Sequence, residues 1–154
     1  MPNSETYMKI AIEEAAKASW PFGAVIVRDG KVIAQAGAGD GTDTEHDPTA
    51  HAETNAIRRA CEKLGTGDLS GAILYASCEP CALCFGAAWY ANIKNIVYGS
   101  SLDDIKDINK AWGGDLAFPH DHIPKAGIKV HGGELKNEVM DMYASHPRLH
   151  TDKQ

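Results

Sequence analysis

The order of turn signals and apolar runs constrains this chain more than any other feature. PFGAVIV, from Pro21, is an apolar run of strand length, and Asp29-Gly30 behind it is a dipeptide that closes two-residue hairpins. KVIAQAGA is the return strand. After it, apolar runs alternate with helix-forming segments. AILYAS, NIVYG and IKVHG read as the third, fourth and fifth strands. TAHAETNAIRRACEKL, CALCFGAAWYA and GELKNEVMDMYA read as helices, and a first helix opens near Ser4 and runs through AIEEAAKA. A short helix is expected around LDDIKDINKAW, followed by the irregular stretch GGDLAFPHDHIP. Strands joined by a hairpin pair antiparallel, whereas strands separated by helices pair parallel across long connections. The expected fold is therefore α/β, a three-layer α/β/α sandwich on a five-stranded mixed sheet.

The prolines place the helix starts. Asp47 is expected to cap a helix whose first residue is Pro48, because proline lacks only an N–H that would be unpaired there anyway. Gly65 is expected to end that helix, and Pro80 to open the next. The 154 residues suit a single domain spanning 1–154, large enough for a core without disulfides. No apolar run approaches a membrane span. MPNSETYMKI has neither the basic start nor the apolar stretch of a secretory signal, so a cytoplasmic protein is expected. A net charge of −6 argues against a phosphate backbone as partner and for a small molecule.

The four cysteines are Cys61, Cys78, Cys81 and Cys84. A Cys-x-x-Cys pair on its own serves a redox couple as readily as a metal, or merely fills a core. Catalytic zinc takes three protein ligands from sulfur and imidazole and leaves a fourth position for water. Cys81 and Cys84 lie on one helix face and are expected in its first turn, where free N–H groups and the helix dipole favour thiolate. His51 falls in the first turn of the helix after Pro48. Two helix N-termini can then bring His51, Cys81 and Cys84 to one zinc ion. Glu53 would serve beside it as the proton-transferring carboxylate. Residues two apart do not share a helix face, so His51 and Glu53 can meet one ion only at the mouth of the helix.

His51-Ala52-Glu53 and Pro80-Cys81-Ala82-Leu83-Cys84 resemble the H-x-E…P-C-x-x-C signature of the cytidine-deaminase-like superfamily. PFGAVIV, DPTAHAE, AIRRAC and YASCEPCALCFGA are similar to its purine branch, the guanine and guanosine deaminases above all. The resemblance covers residues 5–100 and implies the same sandwich fold and a zinc cofactor. It implies removal of a ring amino group as ammonia from a nucleobase or nucleoside, with Glu53 moving the protons. It places Cys78 outside the ligand set and sets Phe22, Ala52 and Asp40 at the substrate. It also implies a homodimer through the helix FGAAWYA.

The chain departs from that pattern in two places. Asp40 stands thirteen residues before Glu53, where the family carries an asparagine, and an ionised carboxylate accepts hydrogen bonds but cannot donate them. GGDLAFPHDHIP stands where guanine deaminases carry an acidic G-F-D-D segment. A tRNA adenosine deaminase is the alternative with the same signature, disfavoured by the acidic charge, and a cytosine or triazine amine is another. His120-Asp121-His122 reads as a polar loop rather than a metal motif, since two ligands hold metal weakly. Trp89, Tyr90 and Trp112 read as core or subunit contacts, and Trp20 and Phe22 equally as core or pocket wall.

Overall fold

The Asp29-Gly30 turn closes with both residues left-handed, φ 53° and 72°, the backbone that lets a two-residue loop follow the twist of its strands. It joins β1 (Trp20–Arg28) to β2 (Lys31–Ala38) as an antiparallel pair. This is a computed structural model, and the residues it describes are 3–39, 47–106 and 127–149. Around the hairpin lie α1 (Ser4–Lys17), α2 (Ala52–Leu64), β3 (Ile73–Cys78), α3 (Ala82–Tyr90), β4 (Asn95–Ser100), β5 (Lys129–His131) and α4 (Lys136–Ser145). A short 3-10 turn, Pro147–Leu149, follows α4. The sheet order is β2-β1-β3-β4-β5. β3 pairs antiparallel with β1 and parallel with β4, and β4 pairs parallel with β5. The expected five-stranded mixed sheet is present.

Strand alternation sorts the core onto two faces. Val25, Val27 and Tyr75 pack against Tyr7, Met8 and Ala11 of α1. Their neighbours Ala24, Ile26 and Leu74 point the other way, onto Ala52, Ala56 and Ala60 of α2 and Phe85 and Ala88 of α3. Val139, Met142 and Tyr143 of α4 join Ala15 of α1 in a third cluster. The result is the three-layer sandwich. The helix α1 lies so close to β1 that a Cβ on Gly23 would sit 2.0 Å from the Ala11 carbonyl oxygen. The Gly23 amide donates to Ser77 Oγ at 3.0 Å and so ties β1 to β3 beside Phe22.

Two helix starts differ from expectation, those of α2 and α3, while α1 opens at Ser4 as expected. The N-cap of α1 is Asn3, with Ser4 the first helical residue. α2 begins at Ala52 rather than Pro48, and α3 at Ala82 rather than Pro80. Asp47 caps a turn instead of a helix: its carboxylate accepts the Thr49 amide at 2.9 Å and the Thr49 hydroxyl at 2.6 Å. That local bond offers the backbone an alternative to helix, which Pro48 tolerates equally well. Gly65, at φ 66°, ends α2 as expected. Asp40 lies outside the described residues, as do most of LDDIKDINKAW, the stretch GGDLAFPHDHIP, Trp112 and His120-Asp121-His122.

Candidate active site

The late helix starts make His51 and Cys81 the N-cap residues of α2 and α3, not members of their first turns. Both have extended backbone, with ψ 155° at His51 and 177° at Cys81, so their side chains project past the helix ends. Cys84 is the third residue of α3, within its first turn, and fully buried. His51 Nδ1 is 3.5 Å from Cys81 Sγ and 3.4 Å from Cys84 Sγ, and the two sulfurs are 3.7 Å apart. Zinc bound tetrahedrally at ordinary Zn–S and Zn–N lengths would set these edges at about 3.6 Å for N–S and about 3.8 Å for S–S. The donor triangle has the chemistry and the dimensions of a zinc site, with one tetrahedral corner left over.

Of the two sulfurs, that of Cys81 is prepared for metal by its surroundings. The contacts of Cys81 with the Cys84 sulfur, with His51 and with the Cys84 amide draw its pKa down to about 4, whereas the same sulfur contact and burial raise Cys84 well above the ordinary thiol range. Ligand sulfur must be thiolate, so the lowering at Cys81 favours binding. Cys78, buried at the end of β3, is pushed up to about 12 by desolvation and is not part of the triangle. It is an inert thiol.

Glu53 is the second residue of α2 and only 6% exposed. It accepts a bond from the Cys84 thiol at 3.2 Å, which brings its carboxylate alongside the donor triangle without joining it. Burial pushes its carboxyl up to about 7. His51 and Glu53 reach one place because the first stands at the cap and the second inside the helix.

A cavity of about 330 Å³ opens beside these groups. Phe22 and Ala52, expected at the substrate, both line it, and so do Trp20, Ala38, Pro48, Leu102 and Ile105 as apolar wall. Asp47, His51, Glu53, Glu79 and Cys81 supply its polar edge. The sequence reading missed Leu102 and Ile105. Their turn is held by Ser101 and Asp104, each side chain accepting the other's amide, at 2.8 and 3.0 Å. A Ser-x-x-Asp capping pattern was the signal for it. Glu79 fastens the same turn to the site by accepting the Leu102 amide at 3.1 Å. The volume falls in the range of small-molecule pockets.

The model of the cytidine and deoxycytidylate deaminase zinc-binding region matches residues 1–100. The chain is 41% identical to a guanine deaminase of Bacillus subtilis over 128 residues, which is 80% of this chain and 78% of that enzyme. It is 43% identical to a tRNA-specific adenosine deaminase of the same organism over 104 residues, 65% of this chain, and spans 63% of that enzyme's length. A solved guanine deaminase from Nitrosomonas europaea superposes with a TM-score of 0.73 at 27% identity, covering 92% of this chain and 83% of that one.

Proposed function

The chain belongs to the cytidine and deoxycytidylate deaminase zinc-binding family, and on that premise we propose that it is a hydrolytic deaminase of a purine base or nucleoside, of guanine or guanosine type. The observation that carries the reading is the cavity in which the donor triangle, the buried Glu53 and an apolar wall meet. His51, Cys81 and Cys84 would hold the zinc. When bound in such a site, zinc lowers the pKa of water and so supplies a nucleophile at neutral pH.

The rest is done by the chain. Glu53 takes a proton from the attacking water at its carboxylate and passes it to the ring nitrogen next to the amino-bearing carbon. It then takes the proton of the new hydroxyl and delivers it to the departing amine, so that water and the ring amine become a carbonyl and ammonia. The same carboxylate must both accept and return the proton, and burial keeps Glu53 away from bulk water while it does so. Phe22 and Ala52 would bound the ring, Phe22 with its face or edge. Asp40 would accept hydrogen bonds from ring or ribose donors.

Three features favour a small purine over a tRNA anticodon. The charge is −6, the polar edge of the pocket is mostly carboxylate, and the match to the guanine deaminase runs through 80% of the chain. A cytoplasmic homodimer acting on a free base or nucleoside completes the reading. The test is ammonia release by zinc-loaded protein across guanine, guanosine, adenine, cytosine, an aminotriazine and an anticodon stem-loop. Guanine or guanosine should show the highest kcat/KM, and a higher value on the RNA would overturn the assignment.

A further inference from the structure

His146, only 4% exposed, follows α4 and reaches back to the C-cap of α1, just ahead of β1. Its Nε2 lies 3.1 Å from the Ala18 carbonyl oxygen, a contact between residues 128 positions apart. A carbonyl only accepts, so Nε2 carries the proton and donates it. Nδ1 then holds a lone pair, and it accepts the Arg148 amide at 3.1 Å. With its main chain tied in this way, Arg148 lays its guanidinium 3.8 Å from the centroid of the Trp20 ring. Trp20 lines the cavity beside Phe22, at a place where β1 is bulged against β2 between Trp20 and Gly23. Phe22 in turn meets Tyr143 of α4 edge-on, at 6.3 Å between centroids. The Tyr143 hydroxyl is anchored on Ser100 Oγ at 2.9 Å. The wall and its backing therefore come from opposite ends of the chain, and neither Tyr143, His146 nor Arg148 lines the cavity itself.

We propose that segment 146–148 is a clamp that fixes Trp20 as a wall of the substrate pocket, which makes Trp20 a specificity-determining residue and Arg148 the residue that positions it. The inference rests on the function proposed above. A planar heterocycle between the zinc site and this wall is held by the orientation of aromatic rings. A bulged strand end does not fix a ring's orientation by its own ladder. Guanidinium stacking and the His146 anchor do. Arg148 then acts on how tightly substrate is held and not on proton transfer, because the contacts described for it lead to His146 and Trp20 and not to Glu53 or the donor triangle.

The experiment uses the full zinc-loaded chain and the best substrate of the panel. Arg148→Ala should raise KM about fivefold, the size of a partly buried cation–π contact, with kcat within about twofold and zinc content unchanged. Arg148→Lys, which keeps a cation, should recover most of that loss. Trp20→Ala should raise KM as well, and adding Arg148→Ala to it should change nothing more, since the second residue acts through the first. In a Trp89→Phe, Trp112→Phe background, acrylamide quenching of the remaining Trp20 should rise on Arg148→Ala. Unaltered quenching, an unaltered KM, or losses that multiply in the double variant would each overturn the clamp. A parent that deaminates nothing on the panel overturns the functional reading and this inference with it, whereas an active parent indifferent to Arg148 overturns the clamp alone.

Discussion

Replacing Glu53 by glutamine separates chemistry from architecture. The amide has the same shape and can still hydrogen-bond the Cys84 sulfur, its N–H donating to the thiolate that binds zinc, so the pocket wall stays as it is. The donor triangle of His51, Cys81 and Cys84 does not include Glu53, so zinc should remain at one per chain. What disappears is a group that can take a proton and give it back. General acid–base catalysis contributes about 10²–10⁴ in rate, which is about 3–5.5 kcal/mol of barrier at 1.36 kcal/mol per decade. Glu53 would act twice in one turnover, and it sits 6% exposed where bulk water cannot substitute for it. The loss in kcat should therefore fall at or beyond the upper end of that range. Folding should not suffer, because the variant removes a carboxyl that burial already disfavours in its charged form. The assay is steady-state ammonia release beside zinc by elemental analysis and a thermal melt. Turnover within tenfold of the parent, at full zinc content, would refute the proton-transfer role.

Further outcomes test other parts of the molecule. Cys84→Ala should bring zinc well below one per chain, since two remaining donors hold the ion weakly, and zinc at parental stoichiometry would show that the triangle is not the metal site. Gly23→Ala should lower stability by about 2–3 kcal/mol or more, because its Cβ would meet the Ala11 oxygen at 2.0 Å and the Ala15 nitrogen at 2.6 Å. An unshifted melting temperature would mean that α1 is not seated on β1 as described. Leu83, Trp89 and Tyr90 of α3 are 42%, 47% and 80% exposed, the kind of apolar surface a subunit contact covers. The parent should elute as a homodimer and Tyr90→Lys should weaken it, whereas a monomeric parent at micromolar concentration would contradict the proposed assembly.

Much of this architecture could be read in advance because each local signal agreed with the one beside it. Asp29-Gly30 is a turn that nothing else in the chain opposes, and the alternation after it leaves little freedom in sheet order. The donors were recognisable because sulfur and imidazole at that spacing rarely serve anything else on a chain that also carries His-x-Glu. The helix starts were misplaced for a specific reason. Proline suits the first turn of a helix and an isolated turn equally, and only the side-chain bonds of Asp47 decide between them. Leu102 and Ile105 belong to a turn with no long-range pattern, and their place in the pocket depends on Glu79 from another loop. The pairing of Trp20 with Arg148 is a tertiary contact between chain ends, which no local periodicity encodes.

The misplaced helix start has a consequence that can be measured. Two residues apart on a helix, side chains diverge by about 200°, so His51 and Glu53 could not serve one ion if α2 began at Pro48. They converge only while His51 keeps its extended cap conformation. Thr54 holds that cap. It is 5% exposed, and its hydroxyl lies 2.7 Å from the Thr49 carbonyl and 2.9 Å from that of His51, on both sides of the turn that carries the ligand. Thr54→Val keeps the shape and removes the donor. The Thr49 carbonyl retains the His51 amide at 2.8 Å and the His51 carbonyl retains the Asn55 amide at 2.9 Å, so the fold should survive at a cost of about 1 kcal/mol. With the main chain of His51 less firmly held, the imidazole should bind zinc about tenfold more weakly, the lower end of what supporting hydrogen bonds contribute to metal affinity. Competition with a chelator measures this directly, and Thr54→Ser should restore most of the affinity because it restores the hydroxyl. If Thr54→Val binds zinc as tightly as the parent, the cap conformation is not what directs His51 to the metal, and the convergence of the two helix ends needs another cause.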